Sequence, residues 1–407
     1  MKRFFSWNTS TIPRGVRTIT IATAIRWFGW GFAEALIPIL IYSFSSSFAH
    51  AGLLRSTLDI AMILAFPIAG IFADRIRSST LIKTGLYMYL LIGISYFLSG
   101  LTGLVVFLIA ARVLNGISYA LDMTARETYF RRHTPREKVA TVFGYFDTVA
   151  NFWWITAAAI GIFLIPYFQV WQLLLLITPA TFVALLVITR FEKTEEEVHP
   201  KEKEGGARAL VREWTKFSPQ LKTLLVINFF FAAASGVITF FIPIEAYTEG
   251  ANLALVVVFG IVTTIPTLFG FSLGSLFDRK GLSVYLTGLG VFTVLLFSMA
   301  LWPSYFWKLI AAFLCSVVLE LLSVGNNELV TIHTNPEHFG RMAGILRSIA
   351  DLGNMMGPLA LGIVIDSYGI NNSFVTLGVI MTLVTFVFYL CKRTGFFMVK
   401  AEAVARV

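Results

Sequence analysis

Long stretches of apolar residues alternate with short polar breaks along almost the whole chain. Twelve of these stretches approach the ~20 residues that an α-helix needs to cross the hydrocarbon core of a bilayer. The stretches lack the strict apolar–polar alternation of membrane β-barrel strands. The pattern predicts twelve transmembrane helices, called spans 1 to 12, over residues 18–42, 51–73, 80–99, 102–125, 139–163, 168–189, 221–245, 251–277, 282–301, 304–330, 341–365 and 371–391.

One long polar segment divides the twelve spans into two groups of six. Residues 190–222 hold 15 of the 55 charged residues, a charge run typical of a solvated linker. The sequence therefore predicts an all-α membrane protein of two pseudo-symmetric six-helix bundles. The bundles occupy residues 1–190 and 220–407, and a cytoplasmic linker at 191–219 joins them.

The composition agrees with a protein that lies mostly in lipid. Only 14% of the residues are charged, 57% are hydrophobic, and the mean hydropathy is +0.77. A soluble globular chain would contain about 25% charged residues. These values exclude a soluble enzyme and a disordered chain.

The basic residues set the expected orientation. If the N-terminus is cytoplasmic, 27 of the 32 Lys and Arg residues fall on cytoplasmic segments, and the outer loops contain none. Positive residues collect on the cytoplasmic side of membrane proteins. We therefore expect a multi-pass protein of the cytoplasmic (inner) membrane with both termini in the cytoplasm. The net charge of +9 then reflects topology, so no nucleic-acid partner is expected.

A six-residue pattern, G-x-x-x-D-R, follows span 2 and recurs 204 residues later at the end of span 8. Because the copies stand at corresponding positions of the two groups, they indicate a duplicated six-helix unit. Such repeats place a substrate site near the middle of the membrane, between the halves. The copies consist of Gly70, Asp74, Arg75 and of Gly274, Asp278, Arg279.

These motifs resemble the major facilitator superfamily. That family carries G-x-L-A-D-R-x-G-R-[KR] after span 2, and residues 70–79 keep its first Gly, its Asp and its first Arg. Span 4 resembles the family pattern R-x-x-Q-G through Arg112, Asn115 and Gly116. The resemblance implies secondary active transport, in which spans 1, 4, 7 and 10 line a central cavity.

Span 5 departs from the drug/proton antiporter group of this family. The glycine pattern of that group is lost in span 5 and appears in span 11, where it also suits close helix packing. We expect proton-coupled efflux of a small amphipathic or drug-like molecule by a monomer working by alternating access. The alternatives are an ion-coupled importer of a polar metabolite, and a lipid flippase or non-transporting sensor.

Polar residues inside the spans are the candidates for substrate contact. A charge at the centre of a bilayer costs about 2.5–3.5 kcal/mol on insertion scales, so each needs a partner, a water-filled cavity or a function. In spans 1 and 4 they share one helical face. The candidates are Arg26, Trp30, Glu34, Arg112, Asn115, Tyr119, Asp122, Asn151, Trp154, Asn228, Glu320, Asp351 and Asn354.

Two of the acids, Glu34 and Asp122, are the candidates for proton coupling. Desolvation in a cavity favours the protonated carboxyl group, and a nearby Arg112 favours the charged form. A moving pair of this kind can link protonation to conformation, whereas a static pair only fixes helix packing. Asp59 has a ready partner in Arg55 one helical turn away, so we expect an ordinary ion pair there.

The loop aspartates are candidates for gating. The family geometry implies that Asp74 and Asp278 abut the cytoplasmic starts of spans 11 and 5. A carboxylate there accepts hydrogen bonds from free backbone N–H groups. With the polar face of span 11 included, the gating candidates are Gly70, Asp74, Arg75, Gly274, Asp278, Arg279, Arg341 and Arg347.

Other chemistries find no support in the sequence. The five histidines lack metal-ligand spacing, and no Walker-type glycine loop is present. We therefore expect no metal, no cofactor and no enzymatic activity. The expected partners are the lipid bilayer, a small-molecule substrate, and protons or another coupling ion.

Overall fold

The computed structural model describes residues 12–134, 139–192, 217–270, 273, 276, 281–302, 304–332 and 339–397. Within these residues the fold consists of α-helices and two short 3-10 turns. The predicted linker lies almost wholly outside the described residues. An all-helical fold is expected in a bilayer, because a helix satisfies its own backbone N–H and C=O groups.

The helices follow the predicted spans. In the first half they are Arg14–Gly31, the 3-10 turn Glu34–Leu36, Ile37–Ser43, Phe48–Arg75, Ser78–Thr102, Val105–His133, Val139–Leu164, Val170–Leu174 and Ile177–Glu192. In the second half they are Pro219–Thr248, Leu253–Thr264, the 3-10 turn Ile265–Phe269, Leu282–Leu301, Tyr305–Ile332, Phe339–Tyr368 and Ile370–Arg393.

Ten described helices are long and apolar enough to cross a membrane. Span 1 is an eleventh, composed of Arg14–Gly31 and Glu34–Ser43 with a bend of 43° between them. Span 8 is represented by the shorter apolar segment Leu253–Phe269, and its remaining residues lie mostly outside the described part of the chain. The chain is therefore a multi-pass membrane protein.

Polar residues and glycines mark the boundaries of the spans, at the turn-forming residues of the sequence. Ser47 accepts a hydrogen bond from the His50 N–H at 3.1 Å and caps the start of span 2. Asn252 caps span 8 in the same way through the Leu255 N–H at 2.9 Å. Gly369, with φ of 82°, makes the turn between spans 11 and 12.

Small residues let neighbouring helices approach closely. A Cβ atom at Gly357 of span 11 would lie 2.3 Å from the carbonyl oxygen of Ala233 in span 7. A Cβ atom at Gly353 would lie 2.2 Å from the carbonyl oxygen of Phe229. The glycines of span 11 therefore serve helix packing, since close backbone approach is how membrane helices gain van der Waals contact.

The bundle has two ends, which we call the terminal end and the distal end. The terminal end holds the first and last described helix ends, and the distal end holds the turns at 44–47, 249–252 and 369. At the distal end the two halves touch along spans 2 and 11. There, Asp366 accepts hydrogen bonds from the backbone N–H groups of Phe48 at 2.9 Å and Ala49 at 2.8 Å.

Further along the same contact the backbones almost touch. A Cβ atom at Gly52 would lie 2.6 Å from the carbonyl oxygen of Pro358. In contrast, a Cβ atom at Gly70 or Gly144, towards the terminal end, would find no described atom within 4 Å. The halves are therefore packed tightly at the distal end.

Candidate functional site

A cavity of about 540 Å³ lies between the two halves. The first half contributes thirteen of its eighteen lining residues, and the second half contributes five. Its wall combines charged, amide and aromatic side chains, which is the composition of a small-molecule site. The lining residues are Arg26, Trp27, Trp30, Glu34, Arg55, Leu58, Asp59, Met62, Tyr89, Asn115, Tyr119, Asn151, Trp154, Thr264, Arg347, Ala350, Asp351 and Asn354.

A break in span 1 presents Glu34 to this cavity. The helix ends at Gly31, Ala33 leaves helical geometry with φ of −147°, and Glu34 begins a 3-10 turn. The side chain of Glu34 is exposed in the cavity, where one carboxylate oxygen accepts a hydrogen bond from Trp154 Nε1 at 2.5 Å. Broken membrane helices commonly provide binding groups in transporters.

Asp122 of span 4 is held between two arginines. Its Oδ2 atom lies 2.8 Å from Arg26 Nη2 and 3.0 Å from Arg126 Nη1. Each guanidinium also lies over an aromatic ring, Arg26 at 4.1 Å from the Tyr89 centroid and Arg126 at 4.3 Å from the Phe146 centroid. All three charged groups are buried. Because two arginines face one aspartate, these three residues together carry one excess positive charge.

Arg112 joins a second group of charges, on span 2. Its Nη2 atom donates a hydrogen bond to the carbonyl oxygen of Arg55 at 3.1 Å, and its buried Nε atom has no hydrogen-bond partner among the described residues. Arg55 pairs with Asp59 at 3.4 Å, as the one-turn spacing predicts. Neither Arg112 nor Arg26 comes within 4.0 Å of the Glu34 carboxylate in the described structure, so the Glu34–Arg112 pair considered above is not formed.

Span 11 supplies the charges of the second half. Arg347 reaches across to span 4, where its Nη2 atom donates to Tyr119 Oη at 2.8 Å and to Met123 Sδ at 2.9 Å. Asp351 is only 6% exposed, and its Oδ2 atom has no hydrogen-bond partner in the described part of the chain. The second half therefore offers one arginine that is bound to span 4 and one buried carboxylate with an oxygen atom that has no hydrogen-bond partner.

Nine of the thirteen sequence-predicted cavity candidates line the cavity. The other four lie elsewhere. Arg112 and Asp122 are buried behind the wall, in the contacts described above. Asn228 is buried and donates to the carbonyl oxygen of Leu346 at 3.4 Å. Glu320 is half-buried against span 8, where a Cβ atom at Gly270 would lie 2.6 Å from its Oε1 atom.

Of the gating candidates, the structure describes mainly Gly70 and Arg347. Asp74 and Arg75 form the last turn of span 2, and Arg341 lies in the first turn of span 11, but their side chains lie outside the described part. Gly274, Asp278 and Arg279 lie outside the described residues altogether. The proposed contacts of the loop aspartates therefore stay predictions.

Two polar contacts were not anticipated from the sequence. One is a buried ion pair between Lys308 of span 10 and Glu245 of span 7, with Asn371 Oδ1 3.5 Å from the lysine. The other is the contact of Asp366 with the start of span 2. Lys308 is a charge inside a span, which calls for a partner, but the sequence does not show which acid is near it.

A polar cavity between the two helical halves of a membrane protein is the arrangement expected of a transporter. The profile of the Major Facilitator Superfamily matches residues 19–331 and 281–396. The chain belongs to this superfamily, as its motifs predicted.

Curated relatives match over most of the chain. The Quinolone resistance protein NorA of Staphylococcus aureus (strain MRSA252) is 22% identical over 370 residues, which cover 83% of this chain and 86% of NorA. The Multi-drug resistance efflux pump PmrA of Streptococcus pneumoniae serotype 4 (strain ATCC BAA-334 / TIGR4) is 25% identical over 342 residues, covering 80% of this chain and 82% of PmrA. A crystal structure of a variant of the nucleoside transporter NupG aligns with a TM-score of 0.76 at 13% identity, covering 93% of this chain and 99% of that one.

Proposed function

We propose that the protein is a secondary active exporter of small amphipathic, drug-like compounds. The observation that carries this proposal is the charged and aromatic cavity between the halves of an otherwise apolar protein. Relatives named as a multi-drug resistance efflux pump and as a quinolone resistance protein support the same substrate class. The transport cycle is alternating access, in which each end of the bundle opens in turn.

The wall of the cavity suits a molecule with an apolar ring system and a charged group. Trp27, Trp30 and Trp154 provide aromatic faces, which bind flat apolar compounds and attract cations. Glu34 stands beside Trp154 and is exposed in the cavity, so a charged group can meet it there. This combination favours amphipathic substrates over purely lipidic ones.

The orientation of the protein relates the observed conformation to the proposed export. We assign the terminal end to the cytoplasm because the basic residues of the loops lie on that side. The tight distal contact of spans 2 and 11 then corresponds to a state closed to the outside. An exporter loads its substrate in such a state.

We further propose that a proton gradient drives export. Of the two acids first considered, Asp122 is fixed between Arg26 and Arg126 and is not among the residues that line the cavity. Glu34 lies in the cavity with a tryptophan N–H as its partner, so it can exchange a proton with water there. Asp74 and Asp278 remain the proposed gating residues of the cytoplasmic side.

The test is transport in inside-out membrane vesicles that contain the protein. On energisation with an acid interior, we expect uptake of ethidium and of a fluorescent quinolone, and we expect nigericin to abolish it. Glu34→Gln should lose this uptake while Glu249→Gln, an exposed acid at the distal end, retains it. Uptake only by right-side-out vesicles would favour the importer, and movement of a labelled phospholipid alone would favour the flippase.

A further inference from the structure

One short sequence pattern occurs on two helices that face each other across the halves. Span 2 contains Arg55-Ser56 followed by Asp59, and span 11 contains Arg347-Ser348 followed by Asp351, so both read R-S-x-x-D. These are not equivalent spans of the duplicated unit, in which span 2 corresponds to span 8. The duplication of the six-helix unit therefore does not account for the shared pattern.

The packing register brings the two acids to the same depth. Spans 2 and 11 run antiparallel, with Gly52 against Pro358 and Ser56 Oγ donating to the carbonyl oxygen of Met355 at 3.4 Å. One turn further along this register, Asp59 lies opposite Asp351. Both acids line the cavity, and both are at least nine-tenths buried.

The arginine side chains around this acid pair make their described hydrogen bonds and ion pair to groups other than Asp351. Arg55 lies on the distal side and pairs with Asp59, while Arg112 donates to the backbone of Arg55. Arg347 lies on the terminal side and donates to Tyr119 and Met123 of span 4. No ion pair within 4.0 Å joins Arg347 to Asp351 in the described structure, and Asp351 Oδ2 has no hydrogen-bond partner there.

A buried carboxylate that is in no ion pair, and that has one oxygen atom without a hydrogen-bond partner, is costly in its charged form, so this arrangement favours uptake of a cation. We propose that Asp351, with Asp59 opposite it, forms a binding site for one monovalent cation, either a proton or the cationic group of a transported organic compound. This inference rests on the proposed function, and it assigns the coupling role to span 11 in addition to Glu34 of span 1.

The position of the site links its occupancy to the transport cycle. Arg55 already pairs with Asp59, so a cation bound between the two acids neutralises the charge of Asp351 at the contact of spans 2 and 11. The same two helices must separate at their distal ends for the cavity to open outward. Opening therefore exposes the site to the outside and favours release of the cation.

The test uses the purified full-length protein in detergent and the Asp351→Asn variant. A potentiometric titration between pH 5 and 9 reports protons, and fluorescence titration with ethidium reports an organic cation. We expect the variant to bind one proton fewer, to bind ethidium at least tenfold more weakly, or both. If the variant only binds one proton fewer, the site is a proton site. If it only loses affinity for ethidium, the site binds organic cations.

Stability separates this site from a structural ion pair. Asp351→Asn should melt at or above the wild-type temperature, because it removes a buried charge that is in no described ion pair. Glu249→Gln is the control and should match the wild type in both titrations. A variant that equals the wild type in both titrations, or one that melts far below it, overturns the proposal.

Failure of the site and failure of the proposed function give different results. Both titrations are made without transport, so the site can be present in a protein that moves no ethidium through vesicles. Conversely, if vesicles with the Asp351→Asn variant export ethidium as well as the wild type does, the proposed export function stands and the cation site has no part in it.

Discussion

The two halves of the transporter use buried charge in different ways. In the first half, Arg26, Asp122 and Arg126 form a cluster that borders the cavity. In the second half, Lys308 and Glu245 form a pair near the distal end, outside the cavity wall. Both groups are buried, but only the first can act on a substrate.

This difference shows that an intramembrane charge does not by itself mark a transport site. The ion pair of the second half connects spans 7 and 10, with Phe374 of span 12 beside the lysine at 5.8 Å. Its described contacts are all within one half, so it holds that half together. The first half supplies most of the cavity wall, and we therefore expect it to determine substrate binding.

The largest effect is expected for Asp122→Asn. The change leaves Arg26 and Arg126 as two buried cations without their shared carboxylate. Breaking a buried pair costs about 3–5 kcal/mol, and two stranded cations place this variant at the upper end. We expect a large fall in melting temperature in detergent and loss of transport, and an unchanged melting temperature would contradict this account of the cluster.

Lys308→Met should be the next most damaging change, and a second substitution should restore the lost stability. The single variant strands Glu245 and should cost about 3 kcal/mol. Adding Glu245→Gln removes the stranded charge, so the double variant should regain the wild-type melting temperature to within about 1 kcal/mol and transport normally. A double variant that is stable but does not transport would show that the second half also uses its buried charge for function.

Asp366→Asn should shift the conformational balance with little loss of stability. It weakens two hydrogen bonds from the start of span 2 to an exposed side chain, which together are worth about 1–2 kcal/mol. The readout is labelling of Ser56→Cys from the distal side by an impermeant maleimide, in a background without Cys315 and Cys391. Labelling should accelerate about tenfold or more, and Glu249→Gln, at the same end, should leave it unchanged.

Asn228→Ala should have the smallest effect. Asn228 lies outside the cavity wall and makes a weak hydrogen bond to the backbone of span 11. Its loss should cost about 1 kcal/mol of stability and leave the apparent KM for ethidium unchanged. An increased KM with an unchanged melting temperature would instead place Asn228 in the substrate site.

Hydropathy predicted the helices because a bilayer imposes their length, and polar residues within the spans predicted half of the cavity wall, nine of its eighteen residues. The break at Ala33 was not predicted, although Gly31 and Pro38 on either side of it are signals of helix interruption. The pairing of Arg26 with Asp122 depends on how two helices rotate about their axes, which spacing within one helix does not specify.

The central claim is that substrate passes through the cavity between the halves. In a background without Cys315 and Cys391, Ala350→Cys places a thiol in the cavity wall, and Leu352→Cys places one on the exposed face of the same helix. We predict that a bulky thiol reagent abolishes ethidium transport by Ala350→Cys, that excess ethidium slows this modification, and that modified Leu352→Cys still transports. Complete modification of Ala350→Cys with undiminished transport would contradict the claim.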